Sequence, residues 1–463
     1  MPIISLNPKA GLPLIDQIVH GLQKMVDDRA MRAGMRLPSI RQFAQDHGVS
    51  RFTVVQAYDR LVAMGYLHSR LGSGFYVSAR PAAHSASEPT WRPDSAIDVV
   101  WLLRNALEDR ARKTLPGAWW LPADWMEEAG VRKSLRLLAQ RDGDYLTAYG
   151  TPAGYLPLRE LLRNRLSTIG VAADTAQIVL TAGVTHAMDL VTRSFVRAGD
   201  AVLVDDPGYF ILFGGLKSFG ANIVGVPWNS DGPDTGVMED LIREHRPRVF
   251  FTNTILHNPT GASISQAVAY RMLQLAEKYD LMLVEDDIYG DFHPATLTRL
   301  ATLDQLKRVI YVSSFSKTVS ASLRVGFLAC ERGLATQLAD VKLLTGLTTS
   351  EIGERLMYQL LTGGHYRKHL DKLRARLHLA RQDTLSRLES MGFTCNGEPE
   401  GGMFVWAKRG EQDSAQLASL AAQQGIMLAP GNIFRPHQEA SPWLRFNVAH
   451  CTDEAVFQFL AAN

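Results

Sequence analysis

The sequence predicts a chain of two parts, a small helical module closed by a β-hairpin and, after it, a large α/β domain built on a mainly parallel sheet. Three observations predict this. Residues 13–78 carry three helical apolar patterns and then two short strand-like runs around a glycine-rich turn. From about residue 100, short apolar runs alternate with helical stretches, as they do where helices cross over parallel strands. Between the two, residues 79–97 are rich in Ala, Ser and Pro without periodicity and read as a linker, extended in parts by its prolines.

Bulk properties agree with that division. A length of 463 residues suits about two to four domains at ~150 residues each, and a hydrophobic content of 46% is ample for buried cores. The net charge of +2 names no partner, but its distribution does. Residues 1–80 hold ten Lys and Arg against five Asp and Glu, a surplus of +5, which leaves the other 383 residues at −3. A basic end on a near-neutral body points to a nucleic-acid module. Cys330, Cys395 and Cys451 are odd in number and far apart, so neither a disulfide framework nor a zinc-ligand set is expected, as in a reducing cytosol. No signal-peptide pattern and no apolar run of about 18 residues occurs, so the expected location is cytoplasmic, away from membranes.

Leu14, Ile18, Leu22 and Met25 fall at helical spacing with Asp16, Gln17, Gln23 and Lys24 between them, which predicts a first helix within residues 13–29. Ser39 sits at an N-cap position before Ile40, Phe43 and Ala44, a short second helix that ends near Gly48. Ser50 caps a third, whose inward face is Val54, Ala57, Tyr58 and Leu61. Two short helices joined at Gly48 match a helix-turn-helix, with the third helix as recognition helix. Residues 66–69 and 74–77 read as two strands about Leu71, Gly72, Ser73 and Gly74, which makes a wing.

Arg41, Ser50, Arg51 and Thr53 lie at the beginnings of the second and third helices, where donors and helix N-termini meet phosphates and base edges. The Arg51 fork suits guanine O6 and N7 together, and Gly72 and Ser73 complete the candidate DNA-contacting set at the wing. Leu37, Pro38, Ser39 and Arg41, then Gly48 to Arg51, Thr53 and Val54, then Gly65, Tyr66 and Leu67, resemble the winged helix of the GntR family over residues 11–78. Phe52 and Val55 depart from the polar residues that relatives often carry there. Phe52 either packs inward or touches a thymine methyl, which leaves the operator preference open.

In the large part, residues 177–181, 201–204, 222–226, 249–252, 281–284 and 309–312 read as strands, with helical stretches such as 183–196 and 266–278 between several of them. Ligands of such sheets bind outside the carboxyl ends of the strands, and the motifs fall there. Gly183, Val184 and Thr185 open a helix after one strand, where backbone N–H groups cradle a phosphate or simply cap the helix. Tyr209 offers an aromatic face after the next strand. Asn258, in an Asn-Pro-Thr-Gly turn, follows another, and Asp286 and Tyr289 follow residues 281–284. Lys317 comes after the apolar run 309–312, among Ser313, Ser314 and Ser316. A lysine amine forms a Schiff base only when it is held out of bulk water and can lose its proton, which such surroundings favour.

That order of motifs, with Tyr149 before them and Arg324, Gly326 and Arg445 after, resembles the fold-type I aminotransferases over roughly residues 100–460. The resemblance implies the cofactor pyridoxal 5′-phosphate (PLP). It implies that Lys317 carries the cofactor as a Schiff base, that Asp286 pairs with the pyridine nitrogen, that Asn258 and Tyr289 hydrogen-bond the ring oxygen and that Tyr209 stacks on the ring. Ser314, Ser316, Arg324 and the turn at Gly183, Val184 and Thr185 would hold the phosphate, with Tyr149 reaching it from a second subunit. Arg445 would clamp an effector carboxylate. Thr185 stands where many relatives have Gln, so that edge of the pocket is open. A small C-terminal α+β part is expected from about residue 330.

A GntR-type winged helix fused to an aminotransferase-like domain is the organisation of the MocR subfamily of bacterial regulators, which the chain resembles from end to end. The resemblance implies a DNA-binding domain at 1–78, a linker at 79–97 and a PLP-dependent effector-binding and dimerisation domain at 98–463. It implies a homodimer on paired operator half-sites that senses an amino acid, an amine or a vitamin B6 compound. A second reading is a working aminotransferase with an attached DNA-binding domain, because every residue expected for PLP catalysis is present. A third, a body that has lost PLP and only dimerises, is opposed by intact Lys317, Asp286 and Arg324.

Overall fold

The computed structural model describes residues 6–7, 11–28, 30–70, 72–78, 99–108, 114–397 and 399–463. Leu71 and the linker expected over 79–97 lie outside the described residues. The chain divides into two units, Met1–Ser95 and Ala96–Asn463.

In the first unit, helix α1 (Leu14–Asp27) buries Ile18, Val19 and Leu22, and α2 (Ile40–Asp46) buries Phe43 and Ala44. Helix α3 (Arg51–Ala63) buries Val54, Ala57, Tyr58 and Leu61, the face its periodicity predicts. Ser39 and Ser50 cap α2 and α3, accepting from the backbone N–H of Gln42 at 3.2 Å and of Thr53 at 3.0 Å. Gly48, at φ 63°, turns the chain between the two helices in a conformation that a β-carbon disfavours. Strands β1 (Leu67–Arg70) and β2 (Gly74–Val77) pair antiparallel, with Leu67 opposite Val77. The first strand starts one residue later than the pattern predicts, because the Tyr66 N–H closes α3 by donating to the Leu61 carbonyl at 2.9 Å. Phe43 and Phe75 meet the Tyr58 ring edge-on at 5.7 and 5.0 Å, so the second helix, recognition helix and wing share one core.

The second unit is built on an eight-stranded sheet of β3 (Ile178–Thr181), β4 (Ala201–Asp206), β5 (Asn222–Asn229), β6 (Gly232–Pro233), β7 (Val249–Thr252), β8 (Met282–Asp286), β9 (Val309–Ser314) and β10 (Gly326–Ala329). Their order across the sheet is β3-β10-β9-β8-β7-β4-β5-β6. The run β9-β8-β7-β4-β5 is parallel throughout. Strand β10 is antiparallel to both β3 and β9, and β6 to β5. These two strands are the ones the pattern does not foretell; β6, at two residues, is too short to show a period.

Successive residues of the central strands feed two different cores. Leu203, Phe250 and Leu283 pack on one side of the sheet, and Val204, Phe251 and Val284 on the other. Burial on both faces explains why these strands read as continuous apolar runs. The C-terminal part adds a 26-residue helix, His365–Ser390, and an antiparallel sheet of β11 (Thr394–Cys395), β12 (Phe404–Lys408), β13 (Ala429–Pro430) and β14 (Trp443–Asn447), in the order β11-β12-β14-β13. Among the described residues no helix is long and apolar enough to cross a membrane.

Candidate functional site

The parallel strands bring their carboxyl ends to one edge, and a cavity of about 1040 Å³ opens there. Val184, Thr185, Tyr209, Asn258, Asp286, Tyr289, Ser316, Lys317 and Arg324 all line it. They come from the ends of five strands and the segments that follow them, with Arg324 just before β10. Asp286 is the last residue of β8, Ser316 and Lys317 follow β9, and Val184 opens the helix Val184–Phe195 just beyond β3.

One corner is made of donors. The backbone N–H groups of Val184 and Thr185 are at a helix N-terminus, where no intrahelical acceptor exists. Arg324 donates through Nη2 to the Ala182 carbonyl at 2.7 Å and through Nη1 to Ser316 Oγ at 3.5 Å. Gly183 has φ 90°, and a β-carbon on it would stand 2.6 Å from Arg324 Nη2; one on Gly326 would stand 2.7 Å from Gly183 Cα. Only glycines let these segments close up. Ser314 does not line the cavity: its hydroxyl donates to the Val325 carbonyl at 2.9 Å and lies 2.8 Å from Ser316 Oγ, so it positions Ser316.

The cavity also carries a titratable pair. Lys317 donates through Nζ to the Trp119 carbonyl at 2.5 Å. Burial, then the cations of Arg445 and Arg324, push its amine down to about 7, against the pull of Asp286. Burial, with Asp287 and Asp205 adding to it, pushes the Asp286 carboxyl up to about 7, against the Ile288 N–H and Lys317. Asn253, also in the cavity wall, donates through Nδ2 to the Asp286 carbonyl at 2.7 Å and accepts the Asn258 N–H on Oδ1 at 2.8 Å. It therefore ties two of the candidate residues together. Asn258 accepts from Arg445 Nη1 on Oδ1 at 2.8 Å, while its Nδ2 is buried with no partner among the described residues.

The lysine shift has a kinetic consequence. At pH 7 an ordinary lysine is neutral in roughly one molecule in three thousand, but one with a pKa of about 7 is neutral in about half. Capture of an aldehyde by the unloaded protein is expected to speed up as pH rises through about 7 and to level off above 8, which stopped-flow absorbance with PLP measures. A rate still climbing at pH 9.5 would contradict it. The same burial opposes folding fully below pH 7, where folded and unfolded lysine are both protonated, and ever less as pH rises to 10.5.

Arg445 and Tyr149 lie outside the cavity wall. Arg445 is fully buried on β14; its Nη2 donates to the Gly117 carbonyl at 2.7 Å, and the Phe404 and Phe434 rings lie 4.3 and 4.9 Å from its guanidinium carbon. Burial lowers it to about 10, so it stays charged at neutral pH. Tyr149 is 80% exposed and takes no part in the cavity of its own chain. Sequence reasoning alone does not single out Asn253, Trp119, Trp120 or His450, which the fold adds to the wall.

In the first unit, Arg41 and Arg51 are exposed at the beginnings of α2 and α3. Ser50 Oγ is 2.8 Å from Thr53 Oγ1, so that pair forms a cap as well as a polar surface. Gly72 has φ 72°, and Ser73 Oγ lies 2.6 Å from the Tyr76 hydroxyl. Phe52 is 68% exposed, which decides against inward packing.

The family described as Aminotransferase class I and II matches residues 105–462. The chain belongs to that family. A second family, Bacterial regulatory proteins, gntR family, matches residues 14–77, and the two together are the organisation of MocR-type regulators. This member of the aminotransferase family is 29% identical over 461 residues to the HTH-type transcriptional regulator YdfD of Bacillus subtilis (strain 168), covering 96% of this chain and 94% of that one. It is 25% identical to the HTH-type transcriptional regulator NorG of Staphylococcus aureus (strain USA300), covering 86% and 92%. The kynurenine aminotransferase of Pyrococcus horikoshii, solved in complex with PMP, shares the fold with a TM-score of 0.72 at 24% identity, over 81% of this chain and 96% of that one.

Pyridoxal phosphate is the cofactor of the class I and II aminotransferases, and the residues here fit it. The corner at Gly183, Arg324 and Ser316 has the glycine clearance and the donors that a phosphate needs. The orphaned Asn258 amide, in the wall beside Tyr289, is a donor ready for a ring oxygen.

Proposed function

We propose that the protein is a PLP-dependent, DNA-binding transcription regulator that senses an amino acid or amine through Lys317. The observation that carries the proposal is the buried Lys317 and Asp286, both held near neutral pKa in one cavity of a chain whose other unit belongs to a DNA-binding family. When bound, the cofactor would supply an electrophilic aldehyde carbon to the lysine or to an effector amine. Lys317 holds or releases the proton at Nζ according to which amine is engaged. Asp286 holds a proton at the pyridine nitrogen, Asn258 and Tyr289 hold the ring oxygen, and Tyr209 covers the ring. Val184, Thr185, Ser316 and Arg324 bind the phosphate, with Ser314 and Gly183 shaping that corner and Tyr149 of a second subunit completing it.

On this reading residues 1–78 bind the operator and residues 98–463 bind effector and dimerise. An effector shifts the DNA-bound population only if it binds the two arrangements unequally. The test is a near-ultraviolet and visible titration of the PLP-loaded chain with amino acids and amines, without added keto acid. A saturable shift with no keto acid released supports a sensor. Release of keto acid with conversion of the cofactor to its amino form would instead support a working aminotransferase, a reading favoured by the intact set of Lys317, Asp286 and Arg445 in and beside the cavity.

Arg51, exposed at the first turn of α3, is the proposed base-reading residue, with Arg41, Ser50, Thr53, Gly72 and Ser73 on backbone or wing contacts. Arg51→Ala is expected to weaken specific operator binding by about 1–3 kcal/mol and to leave PLP bound. Equal operator affinity in a gel-shift titration at fixed salt would remove Arg51 from the reading set.

A further inference from the structure

The cavity holds more wall than the cofactor-handling residues supply. Its remaining lining is mainly apolar, with two tryptophans, Trp119 and Trp120, beside Met126, Ile211, Ile288 and Val319. The tryptophan wall is rigidly held. Gly117 accepts from Arg445 at 2.7 Å, Ala118 and Trp120 accept from Asn447 Nδ2 at 3.1 and 2.7 Å, and Trp119 accepts from Lys317 at 2.5 Å, all on their backbone carbonyls. Trp119 and Trp120 stand edge to face at 4.7 Å, and Trp119 meets Phe210 at 5.6 Å. Leu103 and Leu107 of the helix Val99–Glu108 extend the same apolar lining.

Charge is scarce beside them. Apart from Lys317, Asp286 and Arg324, the described lining offers Glu128, which is exposed and ion-paired with Arg132, and His450, which burial pushes down and which lies 3.0 Å from the Trp120 carbonyl. A charged group carried into this wall would find no free counter-ion among the described residues, and an unpaired buried charge is costly. An apolar group would find walls already in place, with each buried methylene worth a factor of about four in affinity.

We infer that the effector is an amine or amino acid with a large apolar side chain, aromatic above all, and that Trp119, Trp120, Met126, Ile211, Ile288 and Val319 form its side-chain pocket. The inference rests on the reading of the cavity as a PLP and effector site. It assigns the specificity of the site to residues that sequence motifs do not mark. Among the described lining residues, Lys317, Asp286 and Arg324 serve the cofactor and Glu128 faces Arg132, so none is left to pair with a charged effector side chain.

The full chain, loaded with PLP, is titrated with phenylalanine, leucine, alanine, aspartate and lysine, following cofactor absorbance and, separately, tryptophan fluorescence. Phenylalanine and leucine are expected to bind at least tenfold more tightly than alanine, with fluorescence changing at the same concentrations. Aspartate and lysine are expected to bind no more tightly than alanine. A spectral response in which aspartate or lysine matches phenylalanine, or phenylalanine merely equals alanine, overturns the pocket assignment and leaves the sensing proposal standing. No response to any amine overturns both.

Ile211→Lys and, on a separate segment, Met126→Lys each place a cation in the wall. Either folded variant is expected to gain at least tenfold for aspartate relative to phenylalanine. An unmoved ranking in a variant that still binds PLP also overturns the assignment.

Discussion

Lys317→Ala is expected to abolish covalent retention of PLP, to remove the absorbance of the bound cofactor after gel filtration and to leave DNA binding deaf to effector. The side chain is buried, its amine is held near a pKa of about 7, and its Nζ is the lysine nitrogen in the cavity wall. No other described lining residue carries a primary amine. Noncovalent affinity survives in part, because the donors at Val184, Thr185, Ser316 and Arg324 do not depend on the lysine. The expected picture is therefore reversible, weaker cofactor binding with its chromophore altered, and an unchanged thermal transition of the N-terminal unit. A mutant that keeps the wild-type spectrum through dialysis would refute the role given to Lys317.

Arg445→Met is expected to cost carboxylate-bearing effectors about 2–5 kcal/mol, roughly thirtyfold to several thousandfold in affinity. The guanidinium is fully buried, charged at neutral pH and anchored by Asn258 and Gly117, so its position is fixed before any effector arrives. Its buried Nε has no partner among the described residues. Comparing an amino acid with the amine that lacks only its carboxylate isolates the effect: the amine should lose little beyond what loosening of Asn258 produces. Equal losses for both would make Arg445 a scaffold residue that holds Asn258 and the segment before Trp119. Methionine preserves much of the volume packed against Phe404 and Phe434, which keeps the comparison on charge rather than on a cavity.

Much of this was legible before any coordinates. Caps, periodicity and glycine placed α1 to α3 and the wing within a residue or two, because those elements are specified locally by Ser39, Ser50, Gly48 and the apolar faces they bound. The strands that are buried on both sides announced themselves as apolar runs, and strand-end motifs placed nine of the proposed cofactor residues on one cavity. What escaped was non-local. Strand β10 is four residues long and exists because β3 and β9 flank it; nothing in its own composition demands pairing. Asn253 was visible only as a polar residue after β7, and its two bonds to the Asp286 and Asn258 backbones depend on how adjacent strands are registered. The tryptophan wall is set by carbonyl contacts to Lys317, Asn447 and Arg445, which lie between 198 and 329 positions away in the chain.

The corner where Arg324 meets Ala182 joins residues 142 positions apart, with β10 threaded antiparallel between two strands that run the other way. Such a contact is absent from any partly assembled sheet, since loop closure on that scale must come first. An anion bound there consequently recognises the finished topology and nothing earlier. Ligand at a hundredfold excess over its dissociation constant stabilises the native state by about 2.7 kcal/mol. On the proposed function, cofactor therefore acts on this protein twice, as a chemical group for its lysine and as a ligand that stabilises the completed fold.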